Sequence, residues 1–292
     1  MTRLLLPLLL FLTPCTSARA QSMKDPLAYQ LFRQGGKPVK YKKVLRAATD
    51  ADVILFGESH NDAIAHWLQN VLFRDLHDHD DRPLVLGLEM LEADQQKAVF
   101  TYLMGELEAG QIDEVGSGLW PNWRTDYEPL VTFAKNNFLR VIATNVPRAY
   151  ARMVFRGGLD TLTTLPANEL AYLPPLPIPY DPELPGYRRM LEMMPGGHGG
   201  ATFPMAQAIK DATMAWFIKE NTPAGTRFFH LNGSYHSDDF EGIGWYLQRY
   251  APELKVMTIS TVEQANVRDL DPENAQKAHF ILAVPALMTR TY

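Results

Sequence analysis

The feature that most constrains the fold is a motif that occurs twice. Val53-Ile54-Leu55-Phe56 runs into Gly57-Glu58-Ser59-His60, and far downstream Phe228-Phe229-His230-Leu231-Asn232 runs into Gly233-Ser234-Tyr235-His236. A short apolar run bounded by a glycine reads as a buried strand, and the glycine lets the chain turn sharply where the strand stops. Polar residues follow that suit the start of a helix. Ser59 or Asn61 is the expected cap, with Asp62 in the first turn. The two units place Glu58, His60 and His236 at the carboxyl ends of strands, where open α/β sheets gather their sites. A third apolar run, over 84–88, delivers Glu89 in the same way.

Further apolar runs over 139–143, 227–231, 255–259 and 279–284 read as strands. Helical spacing recurs over 64–73, 94–107, 127–136, 203–218 and 240–250. The lead-in over 24–50 reads as helical or irregular, and the charged stretch 75–82 as a solvated loop ending at Pro83. Proline crowds residues 165–185 and disfavours both helix and sheet interiors. The expected fold class is therefore α/β: a mainly parallel central sheet flanked by helices. A smaller helical or irregular subdomain is inserted at about 148–204, within one domain over 21–292.

The strand-end residues carry the candidate chemistry. His60, His236 and Glu89, joined by His66, offer the imidazole and carboxylate donors that suit a divalent transition metal such as zinc or manganese. In a hydrolase, Glu58 or Glu89 would act as general base on a bound water. The plainer alternative is that these side chains cap helices and satisfy backbone groups. His77 and His79, set among Asp75, Asp78, Asp80 and Asp81, read as an exposed acidic loop rather than a site. His198 stands between glycine pairs, near Tyr187, Met190, Met193, Met194 and Met205. That grouping suits either an apolar cavity for a flat ligand such as haem, whose iron takes Tyr, His or Met ligands, or a methionine-rich core under a flexible lid. No G-x-S-x-G, H-E-x-x-H, Walker or G-x-G-x-x-G motif is present in the contexts those chemistries need.

The first twenty residues differ in kind. A basic start, an apolar run over 4–12 and Ala18-Arg19-Ala20 form the pattern of a secretory signal peptide cleaved after Ala20. The apolar run is too short for a stable span, so the expectation is an exported protein of the periplasm. Cys15, the single cysteine, is the alternative: a lipid-attachment residue that would leave the protein anchored in the cell envelope. Removing Arg3 and Arg19 leaves 26 basic against 33 acidic residues, a net charge of −7, which argues against a nucleic-acid partner.

These motifs resemble the ChaN family of haem-binding bacterial lipoproteins, within the wider superfamily that includes the Tiki and TraB proteins. The resemblance rests on Gly57-Glu58-Ser59-His60 with His66 and Gln69, on Leu86-Gly87-Leu88-Glu89-Met90, and on Ala143-Thr144-Asn145-Val146-Pro147-Arg148. Ala206-Gln207 with Asp211 and Met214-Ala215, and Asn232-Gly233-Ser234-Tyr235-His236, complete it. It departs at Trp67, where a second histidine is expected, and at Pro14, beside the lipidation cysteine. The resemblance implies an exported haem- or iron-binding protein of the envelope, a homodimer that shelters haem with a tyrosine on iron and a histidine or lysine on the propionates. Tyr187 and Tyr180 both lie in the matching region, and Tyr187, with His198 as helper, is the choice for that role. The wider superfamily implies instead a metal-dependent hydrolase built on the paired G-x-x-H histidines and Glu89.

Overall fold

The computed structural model describes residues 25–107, 109–113, 118–192 and 200–292. The expected leader over 1–20, Cys15 and His198 lie outside the described residues. All six apolar runs are strands: β3 (Val53–Glu58), β4 (Leu84–Glu92), β5 (Arg140–Asn145), β6 (Arg227–Gly233), β7 (Val256–Gln264) and β8 (Phe280–Pro285). They lie parallel in the order β8-β7-β3-β6-β4-β5. Two further strands complete the sheet beside β8. β1 (Gln30–Arg33) runs antiparallel to it, and β2 (Lys37–Val39) pairs with β1. This hairpin corrects the expectation of a helical or irregular lead-in over residues 30–39, while residues 41–50 are helical as expected. Strands of three and four residues show no usable periodicity, but Gly35 and Gly36, both with positive φ, are the turn signal that marks it.

Alternation along the parallel strands builds two cores. Ile54 and Phe56 of β3, with Phe229 and Leu231 of β6, face one apolar layer; Val53, Leu55 and Phe228 face the other. The first layer is covered by α1 (Tyr41–Asp50), α2 (Ala63–His79), α3 (Gln96–Leu103), the short α4 (Ala109–Ile112) and α5 (Glu128–Asn136). The second is covered by α6 (Arg148–Gly157), α7 (Pro185–Glu192), α8 (Thr202–Glu220) and α9 (Ile243–Tyr250). The proline-rich stretch forms 3-10 turns at Leu159–Thr164 and Leu170–Tyr172. Among the described residues no helix is long and apolar enough to cross a membrane.

The charged stretch 75–82 is not a free loop. α2 continues to His79, and Asp80 and Arg82 then pin the amino ends of the strands. The fully buried Arg227 guanidinium bonds Asp80 Oδ2 at 2.5 Å and Thr49 O at 2.6 Å, while Arg82 bonds Asp52 Oδ1 at 2.8 Å. A buried cation is tolerable only with such partners. At the outer edge, the Gln96 side chain donates to Val141 O (3.1 Å) and accepts from Ala143 N (2.7 Å), replacing the strand that β5 lacks.

Two backbone positions carry opposite demands. A Cβ on Gly87 would lie against the Phe228 ring and 2.8 Å from His230 Cδ2. Phe138 occupies the left-handed position after α5, with φ of 56°. There Leu139 N bonds Ala134 O at 2.8 Å and Phe138 N bonds Lys135 O at 3.2 Å, a helix ending that normally uses glycine. Phe138 is 96% exposed, so its ring gains nothing from burial. Gly87→Ala is expected to lower unfolding free energy by about 1–3 kcal/mol through overpacking. Phe138→Gly, which removes a strain of about 1–2 kcal/mol against the added freedom of an unfolded glycine, is expected to leave the melting temperature unchanged or raise it. Thermal denaturation of the two variants checks both.

Candidate functional site

The two G-x-x-H units make room for each other at the carboxyl ends of β3 and β6. A Cβ on Gly57 would fall 2.8 Å from Ser234 Cα and 3.1 Å from Ile259 O, so glycine lets the turn that carries His236 cross the end of β3. A Cβ on Gly233 would fall 2.7 Å from His60 Nε2, so that glycine lets the other imidazole cross the end of β6. The need at both positions is close approach rather than an unusual φ. Past the first turn, Asp62 itself caps α2, its Oδ1 accepting from Ala65 N at 2.7 Å. This replaces the expected cap at Ser59 or Asn61.

Around β3, Glu58 is 1% exposed and fully occupied. Tyr127 donates to its Oε1 at 2.6 Å, Gln69 donates to its Oε2 at 2.6 Å, and His60 Nδ1 lies 3.0 Å from Oε1. Glu58 thus orients the His60 ring, leaving Nε2 turned toward Gly233. The edge of that ring packs against Trp120. For His60, burial works against protonation, but the hydrogen bond to Glu58 and the charges of Glu89 and Glu58 outweigh it and raise its pKa. His66 stands behind this group, 4% exposed. Its Nδ1 faces Gln69 Oε1 at 3.0 Å, and its Nε2 faces His60 O at 3.2 Å and Asp126 Oδ2 at 3.4 Å.

Beside it, β4 supplies Glu89 and the turn after β6 supplies His236. Glu89 Oε1 lies 3.1 Å from His236 Nε2, and its Oε2 accepts from Gly233 N at 2.7 Å. His236 Nδ1 lies 2.5 Å from Asp211 Oδ1 on α8. Burial disfavours the imidazolium, yet the two flanking carboxylates win and push the His236 pKa up to about 10. Burial likewise disfavours the Glu89 carboxylate, and the charges and hydrogen bonds of His236, the His60 charge and the Gly233 amide hold its pKa well below the usual range. Asp211 is pushed up, chiefly by burial. Asp211 and Tyr127 had no role assigned from sequence. An acid amid the apolar stripe of 205, 209, 212 and 216 is a signal that could have found Asp211; nothing local marks Tyr127, which sits in the π-helical turn Trp123–Tyr127.

His60, Glu89 and His236 therefore meet, lining one cavity of about 270 Å3 with Glu92, Arg148 and Lys210. His60 and His236 also border an open groove of about 610 Å3. The four expected metal ligands do not form one donor set. His66 faces away, Glu58 is occupied, and both nitrogens of His236 already face carboxylates. Among the described residues, no group of three or more His, Cys, Asp or Glu side chains is placed to hold a metal ion. Tyr187 lies on α7 at the far side of Asp211. It is 4% exposed, its ring stacks on Tyr180, and its buried hydroxyl makes no hydrogen bond of normal geometry. It lines a third cavity, of about 380 Å3, with Arg189, Lys277 and several acids.

Substituting His236 leaves Glu89 and Asp211 buried without their shared partner, so His236→Gln is expected to destabilise the fold by about 3–5 kcal/mol. The pair's contribution is present above the ordinary glutamate value of 4.5 and below the ordinary histidine value of 6.5. It declines as pH rises from 6.5 through about 10, because only the folded state then holds the proton. It also declines as pH falls below 4.5, because the folded state resists protonating Glu89. Urea unfolding across this range should show the alkaline decline in the wild type and its loss in His236→Gln.

Comparison with known proteins fits this architecture. Residues 44–247 match the family described as haem-binding uptake, Tiki superfamily, ChaN. Among solved structures the fold is similar to ChaN of Campylobacter jejuni, a structure titled for cofacial haem binding. The TM-score is 0.63 at 18% identity, covering 87% of this chain and 96% of that one. It is also similar to a Bacillus cereus protein, with a TM-score of 0.50 at 9% identity, covering 88% and 95%. No curated protein sequence matches. The matched span encloses Glu58, His60, Glu89, Asp211 and His236, and the chain belongs to the ChaN family of haem-binding uptake proteins in the Tiki superfamily.

Proposed function

We propose that this protein is an exported haem carrier of the bacterial cell envelope, working as a homodimer in haem or iron uptake. The observation that carries the reading is the family match over 44–247. The leader pattern over 1–20 supports export, with Cys15 as the route to a lipid anchor. The neighbour titled for cofacial haem binding supports the ligand and gives a precedent for two haems lying face to face.

The residues present fit a ferric haem in one respect that is visible in the side chains. Tyr187 holds a buried phenol oxygen without a normal hydrogen bond, and Arg189 and Lys277 on the same cavity would meet propionate carboxylates on leaving Asp239 and Asp238, their present partners. Tyrosine is a known haem ligand type. Burial and the charge of Asp211 raise the Tyr187 pKa, so the phenol keeps its proton at neutral pH until a metal displaces it. The haem iron, when held, supplies the redox-active cargo that uptake delivers. The protein's own part is to bind it, shield it from water and orient its carboxylates. His198, which follows α7 in the sequence, is the proposed helper.

Titrating hemin into the purified protein should give a saturable Soret shift, with sedimentation showing a dimer in the loaded state. Because the phenol must give up a proton, affinity should rise between pH 6 and 9 by up to about tenfold per unit. Tyr187→Phe should weaken binding and flatten that pH profile, and His198→Ala should weaken it further. A titration without saturation, or one identical in all variants, removes Tyr187 and His198 from the site in the second case and the haem reading in the first.

A further inference from the structure

Beside the amino-terminal half of the edge strand β5, whose other end carries the motif residues Ala143–Asn145, a groove of about 640 Å3 opens. Its apolar lining comes from Phe100, Leu103, Met104, Phe138, Val141 and Phe217. The volume lies within the range of small-molecule sites, which are mostly apolar with a few placed polar groups. Three of these side chains are conspicuously wet: Phe100 and Met104 are each 61% exposed and Phe138 is 96% exposed. Clustered exposure of large apolar groups marks a binding surface.

Phe138 adds a second, independent observation. It is a bulky residue held in a left-handed conformation that glycine would adopt freely, with its ring in solvent. Neither the backbone nor the core explains phenylalanine at this position. Such an outlier points to a contact made outside the folded chain.

The polar groups of the groove indicate what that contact carries. Lys135 and Arg140 line it, together with Gln96 and Asn221, and among the described residues it has no acidic side chain. Lys135 Nζ rests 4.0 Å over the Tyr102 ring and Arg140 donates to Asn221, and among the described residues neither cation has a carboxylate partner in the groove. In a chain with 33 acidic against 28 basic residues, a groove bearing only cations attracts an anion. We infer that this groove binds a single-chain amphipathic anion, a long-chain carboxylate of the fatty-acid class. The acyl chain lies along Phe138, Phe100 and Met104, and the carboxylate meets Arg140 and Lys135. This inference is independent of the haem reading.

The test is calorimetric titration of the full chain with sodium dodecanoate below its micelle concentration. Decanoate and tetradecanoate provide a length series, and dodecanol and dodecyltrimethylammonium provide neutral and cationic controls. Saturable binding is expected, tightening about fourfold for each buried methylene, with dodecyltrimethylammonium excluded. Phe138→Gly, which leaves the fold intact, should weaken dodecanoate by about tenfold. Arg140→Gln with Lys135→Gln should weaken dodecanoate by about tenfold while sparing dodecanol. Absence of saturation, indifference to Phe138→Gly, or equal binding of the cationic amphiphile overturns the inference. So does any result in which Phe138→Gly abolishes a different event while dodecanoate stays unbound: capture on phosphatidylglycerol vesicles, self-association, or the hemin Soret shift. A Soret titration left unchanged by Phe138→Gly keeps the two sites separate.

Discussion

One buried imidazolium, shared between two carboxylates, organises the carboxyl ends of the sheet. His236 bonds Glu89 on β4 and Asp211 on α8 while its own turn caps β6. Three elements from distant parts of the chain are joined through a single ring. The ring is the shared member, since removing it leaves two buried carboxylates without their common partner. Glu89 extends the link by accepting the Gly233 amide, and Gly233 in turn leaves space for His60. The Glu58 group on β3 is built on the same logic, its acid oxygens satisfied by Tyr127, Gln69 and His60. Two neighbouring acids thus act mainly on protein groups.

The sheet was legible because its parallel strands are buried on both faces and so appear as unbroken apolar runs. The strand-end location of Glu58, His60, Glu89 and His236 followed from the same runs. What stayed hidden depends on contacts made at long range. Gly57 and Gly233 are read locally as turn residues, whereas their real constraint is a neighbour distant in sequence, Ser234 for one and His60 for the other, approaching the missing Cβ. Asp80 and Arg82 look solvated because charge in a short window says nothing about a buried Arg227 beneath it. His66 illustrates the reverse case: it reads as a companion of the strand-end ligands, but its ring turns inward to Gln69 and Asp126 instead of toward the cavity.

The molecule presents two chemically opposite surfaces. The strand-end face is polar, rich in acids and partly cationic through its histidines. The groove beside β5 is largely apolar, and its charged lining residues, Lys135 and Arg140, are both cations. Phe138 belongs to the second surface, and the helix ending it occupies would tolerate glycine better. A sequence optimised for folding alone would not retain it, so stability and recognition are separable at this position.

The Gln96 amide on β5 has a consequence for crowding. An open parallel sheet ends in unpaired peptide groups that invite another chain to continue it. Here a side chain imitates the missing peptide at Val141 and Ala143, and the other margin is the three-residue β2 with Lys37 and Pro38. Copies crowded together can therefore touch through their side chains without zipping together into ribbons.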